Sequence, residues 1–128
     1  MVETIPVKKL DTPYISLRIE DGIMYGKWKN IHITLPIARE TVSERIRFSE
    51  GVSYPALIDA SALKGGDKEA REYLAKEGSE LIKAGALLVN SIFTKTLVNV
   101  FMLINKPPVP TKMFTDEEKA KEWLKQFI

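Results

Sequence analysis

Five polar residues fall where an α/β sheet would gather them. Asp59 and Ser61 follow the apolar run Pro55-Ala56-Leu57-Ile58, Asn90 and Ser91 follow the run from Ala84 to Val89, and Lys64 lies in the loop between the runs. Open α/β sheets take ligands beyond the carboxyl ends of their strands, so these five are the candidate ligand-binding cluster, with Lys64 beside helix starts suited to an anion. Each also has a structural job open to it: Asn90 or Ser91 as a helix cap, Asp59 as an acceptor for loop amides. The single histidine, His32, lies between Ile31 and Ile33, where alternation sends it to the opposite side, and no Asp can be read as its partner. It therefore reads as an exposed or satisfied polar residue rather than a general base. Glu69, Glu72, Glu117, Glu118 and Glu122 stand at helix starts or beside Lys and Arg, the pattern of solvated helix faces. With no cysteine and one histidine, thiol nucleophiles, thiolate metal sites and multi-histidine clusters are excluded. Gly65-Gly66 lacks the Lys-Ser or Lys-Thr of a phosphate loop and reads as a turn. No catalytic residue, metal site or cofactor is expected.

The elements that must position these residues are legible from periodicity. Tyr14 to Glu20 alternates apolar and polar residues, Asp21-Gly22 supplies a tight turn, and Ile23 to Trp28 follows, which predicts a β-hairpin. Thr34 caps a helix with Pro36 in its first turn, on which Leu35, Ala38, Val42, Ile46 and Ser49 share one face, and Gly51 ends it. Pro55 to Ala60 and Ala84 to Val89 read as strands buried on both faces. Between them Asp67 caps a helix running through Tyr73 and Leu74 towards Leu81 and Ile82, with Gly78 as a point of interruption.

After Asn90-Ser91, apolar residues recur at helical spacing through Ile92, Phe93, Leu97, Val100, Phe101 and Ile104. Val98 and Met102 lie off that stripe, so this helix carries more apolar surface than one core-facing side needs, and these two are the expected interface residues for a partner or a second copy. Past the proline-rich loop at 106–110, Lys112-Met113-Phe114 makes a short strand and Thr115-Asp116-Glu117-Glu118 opens a last helix with Ala120, Trp123, Leu124 and Phe127.

The block Ala56-Leu57-Ile58-Asp59-Ala60-Ser61, the helix with Glu69-Ala70-Arg71-Glu72, and the strings Ala86 to Ser91, Pro110 to Phe114 and Ala120 to Leu124 resemble an uncharacterised bacterial family related to STAS, or SpoIIAA-like, domains. The resemblance spans roughly Tyr14 to Phe127. It implies a mixed sheet with an N-terminal hairpin packed against about four helices, and a role in protein interaction or small-ligand binding. Members that antagonise anti-sigma factors carry a phosphorylatable hydroxyl in an Asp-Ser-Ser-Gly-like loop. Here that loop reads Ser61-Ala62-Leu63-Lys64-Gly65-Gly66-Asp67, which leaves Ser61 as the phosphorylation candidate.

The 128 residues, 45% apolar and 28% charged, suit one domain at 14–128 preceded by an N-terminal segment, 1–13, with scattered Val2, Ile5, Val7 and Leu10 that can form an edge strand. Nineteen Lys and Arg against 17 Asp and Glu leave +2, which argues against nucleic acid. Lys8 and Lys9 precede no apolar signal segment, and the longest apolar stretch, Leu97 to Ile104, is far too short to span a bilayer, so a cytoplasmic location is expected. Three readings follow in order: a non-catalytic STAS-like regulatory or interaction module, working as a homodimer or on a protein partner; a binding or sensing domain for an anionic or lipid-like small ligand, which an interior cavity would favour; and, last, an enzyme using Asp59 or His32 as a base.

Overall fold

The computed structural model describes residues 7–128. Strands β1 (Lys8–Asp11), β2 (Ile15–Glu20) and β3 (Ile23–Trp28) form an antiparallel meander, and the hairpin turn between β2 and β3 is Asp21-Gly22 with φ of 51° and 80°. Two consecutive positive φ values define the turn whose twist suits a two-residue hairpin, and a glycine at its second position removes the steric objection there. The segment before residue 14 contributes β1 at the sheet edge; Val2 and Ile5 lie outside the described residues.

Strands β5 (Tyr54–Asp59), β7 (Ile82–Leu88) and β8 (Thr111–Phe114) continue the sheet in parallel, giving the order β1-β2-β3-β5-β7-β8. Helices α1 (Leu35–Ser49), α2 (Lys68–Lys76) and α3 (Ile92–Val100) form the crossovers between these parallel strands. One sheet face carries Ile15, Leu17, Met24 and Ala56 against Ala38, Phe48 and Ala70. The other carries Ile23, Tyr25, Leu57, Ala84 and Ala86 under Ala120 and Leu124 of α4 (Glu117–Leu124). This is the mixed α/β sheet with an N-terminal hairpin that the sequence predicts.

Local chemistry sets the helix ends. The Ser91 hydroxyl accepts from the Thr94 amide at 3.1 Å while Thr94 Oγ1 accepts from the Ser91 amide at 3.1 Å, a reciprocal cap. Asp116 accepts from the amides of Glu118 and Lys119 at the start of α4. Thr34 holds the cap position of α1 without a side-chain bond.

Three local expectations are revised. Helix α2 stops at Lys76 and a single 3-10 turn, Glu77–Ser79, followed by Leu81 at φ 60°, delivers the chain into β7 two residues earlier than the apolar run indicated. Gly65-Gly66 is not a free turn: as β6 it pairs in parallel with β4 (His32–Ile33), bracketed by Lys64 N to Ile31 O and Asp67 N to Ile33 O, both 2.9 Å. On α1, Ile46 is only half-buried while Thr41 and Arg45 turn inward.

Leu124, fully buried between α4 and the sheet, tests this second layer. Leu124→Ala should lower stability by about 2 to 5 kcal/mol, read in urea as an earlier midpoint with an unchanged slope.

Candidate functional site

The predicted cluster lies at the carboxyl ends of β5 and β7, where Ala60 N donates to Leu88 O at 2.8 Å. Two of its side chains, those of Asp59 and Ser91, are engaged locally. Asp59 Oδ1 accepts from the Ser61 amide at 2.9 Å, Asn90 and Ser91 amides both donate to Thr94 Oγ1, and Ser91 caps α3. The Lys64 side chain is exposed, and its amide belongs to the β4–β6 ladder. A phosphate on Ser61 would sit beside the Asp59 carboxylate that already holds the Ser61 amide, a like-charge arrangement.

His32 does have a partner. Its Nε2 lies 2.7 Å from Asp67 Oδ1, a pairing across 35 residues made possible by the β4–β6 ladder. Asp67 consequently sits at the cap position of α2 without capping it. The other ring nitrogen faces Gly65 so closely that a Cβ there would start 2.9 Å from Nδ1. The pair is half-exposed.

Val98 and Met102, the residues expected at an interface, turn towards the chain's own core. Val98 is only 5% exposed, packed with Ala60 and Val89, and Met102 packs on the same cluster. The cap turns Thr94 inward, and Val98 follows one turn later on the same face. The outward side carries Ile92 and Phe93, 84% and 54% exposed, and, in the π-helical turn Phe101–Asn105 that extends α3, Leu103 and Ile104, 72% and 70% exposed. No Asp or Glu occurs from Leu81 to Thr115, whereas Lys83, Lys95, Lys106 and Lys112 do.

Sequence reasoning missed a concavity beneath the helices. A partly open, largely apolar cavity of about 190 Å³ lies between the sheet and α1, α2 and α3. Its floor includes Ala56, Ile58, Gly85 and Leu87, its roof Val42, Ala70 and Leu74, and its far wall Leu97, Val98 and Phe101. Ala56 and Gly85 are register partners in adjacent central strands, and a Cβ built on Gly85 would find nothing nearer than Thr111 at 3.9 Å. Small residues side by side keep the floor low where the helices cross it.

Three polar side-chain atoms on residues lining this cavity have no hydrogen-bond partner: Thr41 Oγ1, Arg45 Nη1 and Arg71 Nε. Arg45 is 6% exposed, and its Nη2 donates to the carbonyls of Gly78 and Glu80 at 3.2 and 2.8 Å. Burial pushes its guanidinium down from the usual arginine range, with Glu80 opposing. Arg71 Nη1 donates to Gly66 O at 2.7 Å. The signal for Thr41 and Arg45 was present in the sequence, since both fall at helical spacing from Ala38 and Val42 on the buried face of α1. Among the described residues no His, Asp or Glu lines the cavity.

A second concavity, of about 630 Å³, lies on the opposite sheet face beside α4. Of its charged residues, Asp11 is bonded to Ser16 at 2.6 Å and to Lys29 at 3.0 Å, and Arg18 is stacked 3.8 Å over the Tyr25 ring.

The arrangement of a mixed sheet, crossover helices on one face and α4 on the other is a SpoIIAA-like α/β fold. The structure matches, with a TM-score of 0.60, an uncharacterised protein of the DUF3478 family with a SpoIIAA-like fold from Shewanella loihica PV-4, covering 97% of this chain and 99% of that one at 17% identity. The chain belongs to the DUF7793 family, a domain of unknown function whose model matches residues 17–128. No curated protein matches it. Among the described residues no helix is long and apolar enough to cross a membrane.

Tyr25, beneath α4, provides a check on this face of the sheet. Burial raises its phenol above the ordinary value near 10, against the opposing charges of Lys121 and Arg18. A raised folded value means that its contribution to stability is intact below the ordinary range and is lost as pH rises through the folded value. Phenolate absorbance should show a late-titrating component that Tyr25→Phe removes.

Proposed function

We propose that this chain is a non-catalytic STAS-like regulatory module whose input is a small, largely apolar ligand held between the sheet and helices α1, α2 and α3. The single observation that carries this reading is the cavity of about 190 Å³. Apolar voids of roughly 150 Å³ take up benzene or xenon, so the space is sufficient for a compact ring or short chain. The lining supports binding without chemistry: among the described residues it offers apolar walls and cationic donors but no carboxylate or imidazole. The elements around it, α2, α3 and β6, connect it to the loop carrying Ser61 and to the exposed apolar side of α3, so that a ligand under the helices can alter surfaces that partners would meet.

Benzene should raise the melting temperature of the wild-type protein in a dose-dependent way. Gly85→Val, which fills the floor from a position with open space above it, should itself raise the melting temperature and abolish the benzene response. A wild-type protein indifferent to benzene and xenon would contradict the reading.

A second reading, an interaction module, is favoured by the exposed Ile92, Phe93, Leu103 and Ile104 beside lysines with no nearby acid in sequence. Two copies meeting through this side would bring Lys95 and Lys106 towards their own kind, so an acidic protein surface with an apolar centre fits it better than a second copy. Sedimentation should then find a monomer at high concentration. A dimer that Phe93→Ser with Leu103→Ser dissolves would instead identify self-association.

A further inference from the structure

The polar atoms of the cavity carry the ligand's chemistry further. Thr41 and Arg45 are four residues apart on the buried face of α1, both 6% exposed, and Thr41 Oγ1 and Arg45 Nη1 are without partners. Residues at this spacing stand one above the other on a helix, and both line the cavity, with their unpartnered atoms just beneath its surface. A guanidinium stays charged in a protein, and its planar fork matches a carboxylate. Arg45 meets only two carbonyls through Nη2, and Glu80, the acid that acts on it, is exposed. The buried charge thus lacks an enclosed counter-ion, while the adjoining walls are aliphatic and aromatic. Arg71, half-buried with Nε unpartnered, adds a second positive charge to the lining and no acid offsets either from within it.

Resting on the ligand-binding reading above, we propose that the cavity selects a small monocarboxylate, its apolar part over Ala56 and Gly85 and its carboxylate accepting from Arg45 Nη1 and the Thr41 hydroxyl. The anion completes the hydrogen bonding of α1's buried face and neutralises Arg45, and the apolar part fills the space left by the small floor residues. A neutral ligand of the same shape would fill the space but leave the guanidinium uncompensated. The cavity therefore discriminates by charge as well as by shape.

The test compares phenylacetate with phenylacetamide by isothermal titration on the full chain, with benzene as the neutral probe of the space alone. The acid should bind at least tenfold more tightly than the amide. Arg45→Met should abolish that preference while leaving amide affinity within about twofold, and Thr41→Val, a near-isosteric change expected to fold, should reduce the preference severalfold. Folding of both variants is checked by thermal melting. Equal affinity for acid and amide, an acid preference that survives Arg45→Met, or one that Thr41→Val leaves unchanged, overturns the carboxylate assignment while leaving the ligand-binding reading intact. Failure of benzene, acid and amide alike overturns both, and assigns the unpartnered atoms to bound water.

Discussion

The pairing of Ala56 with Gly85 in the centre of the sheet is the constraint from which the rest of the helical layer follows. Across the strands this row runs from Met24 through Ala56 and Gly85 to Thr111, large at one end and minimal in the middle. Helices α1 and α2 are held at its margins by Ile15, Leu17, Trp28 and Phe48. Ala56 packs beneath them, while Ile58, Ile82 and Leu87 around the row stay half-buried. Close packing is the rule in protein interiors, and a departure of about 190 Å³ in so small a domain needs a filling group or a sustained loss of stability.

That constraint also explains the unusual chemistry of α1. Its inward face carries Ala38, Thr41, Val42, Arg45 and Ser49 rather than a continuous row of large apolar residues. Ser49 satisfies itself on the Arg45 carbonyl at 2.9 Å, and Arg45 reaches past α2 to the carbonyls of Gly78 and Glu80. A well-packed apolar side chain is often no less stable than a buried ion, so the retained charge contributes little to the fold itself. Under the proposed reading that charge meets an anion in the space beside it.

Where local pattern and tertiary environment agreed, the sequence was readable. The hairpin follows from alternation and from Asp21-Gly22, the caps of α3 and α4 from Ser91 and Asp116, and the parallel centre from two short apolar runs separated by helices. The candidate site was less legible because its determinants are relations between distant segments. His32 finds Asp67 only through a ladder two residues long, too short to leave a periodic trace. The orientation of α3 depends on Thr94 turning inward, which places Val98 inside and Leu103 outside, although a hydropathy stripe cannot rank two apolar sides of one helix. The cavity is invisible to periodicity altogether, since Ala56 and Gly85 become one gap only when β5 and β7 are aligned.

The most direct measurement is of nuclear Overhauser effects from benzene to protein methyl groups. The account predicts contacts from the bound ring to Ala56, Val42 and Ile58, the residues around the Ala56–Gly85 gap. Contacts confined to Ile92, Leu103 and Ile104 on the exposed side of α3, or no contacts at all, would contradict it.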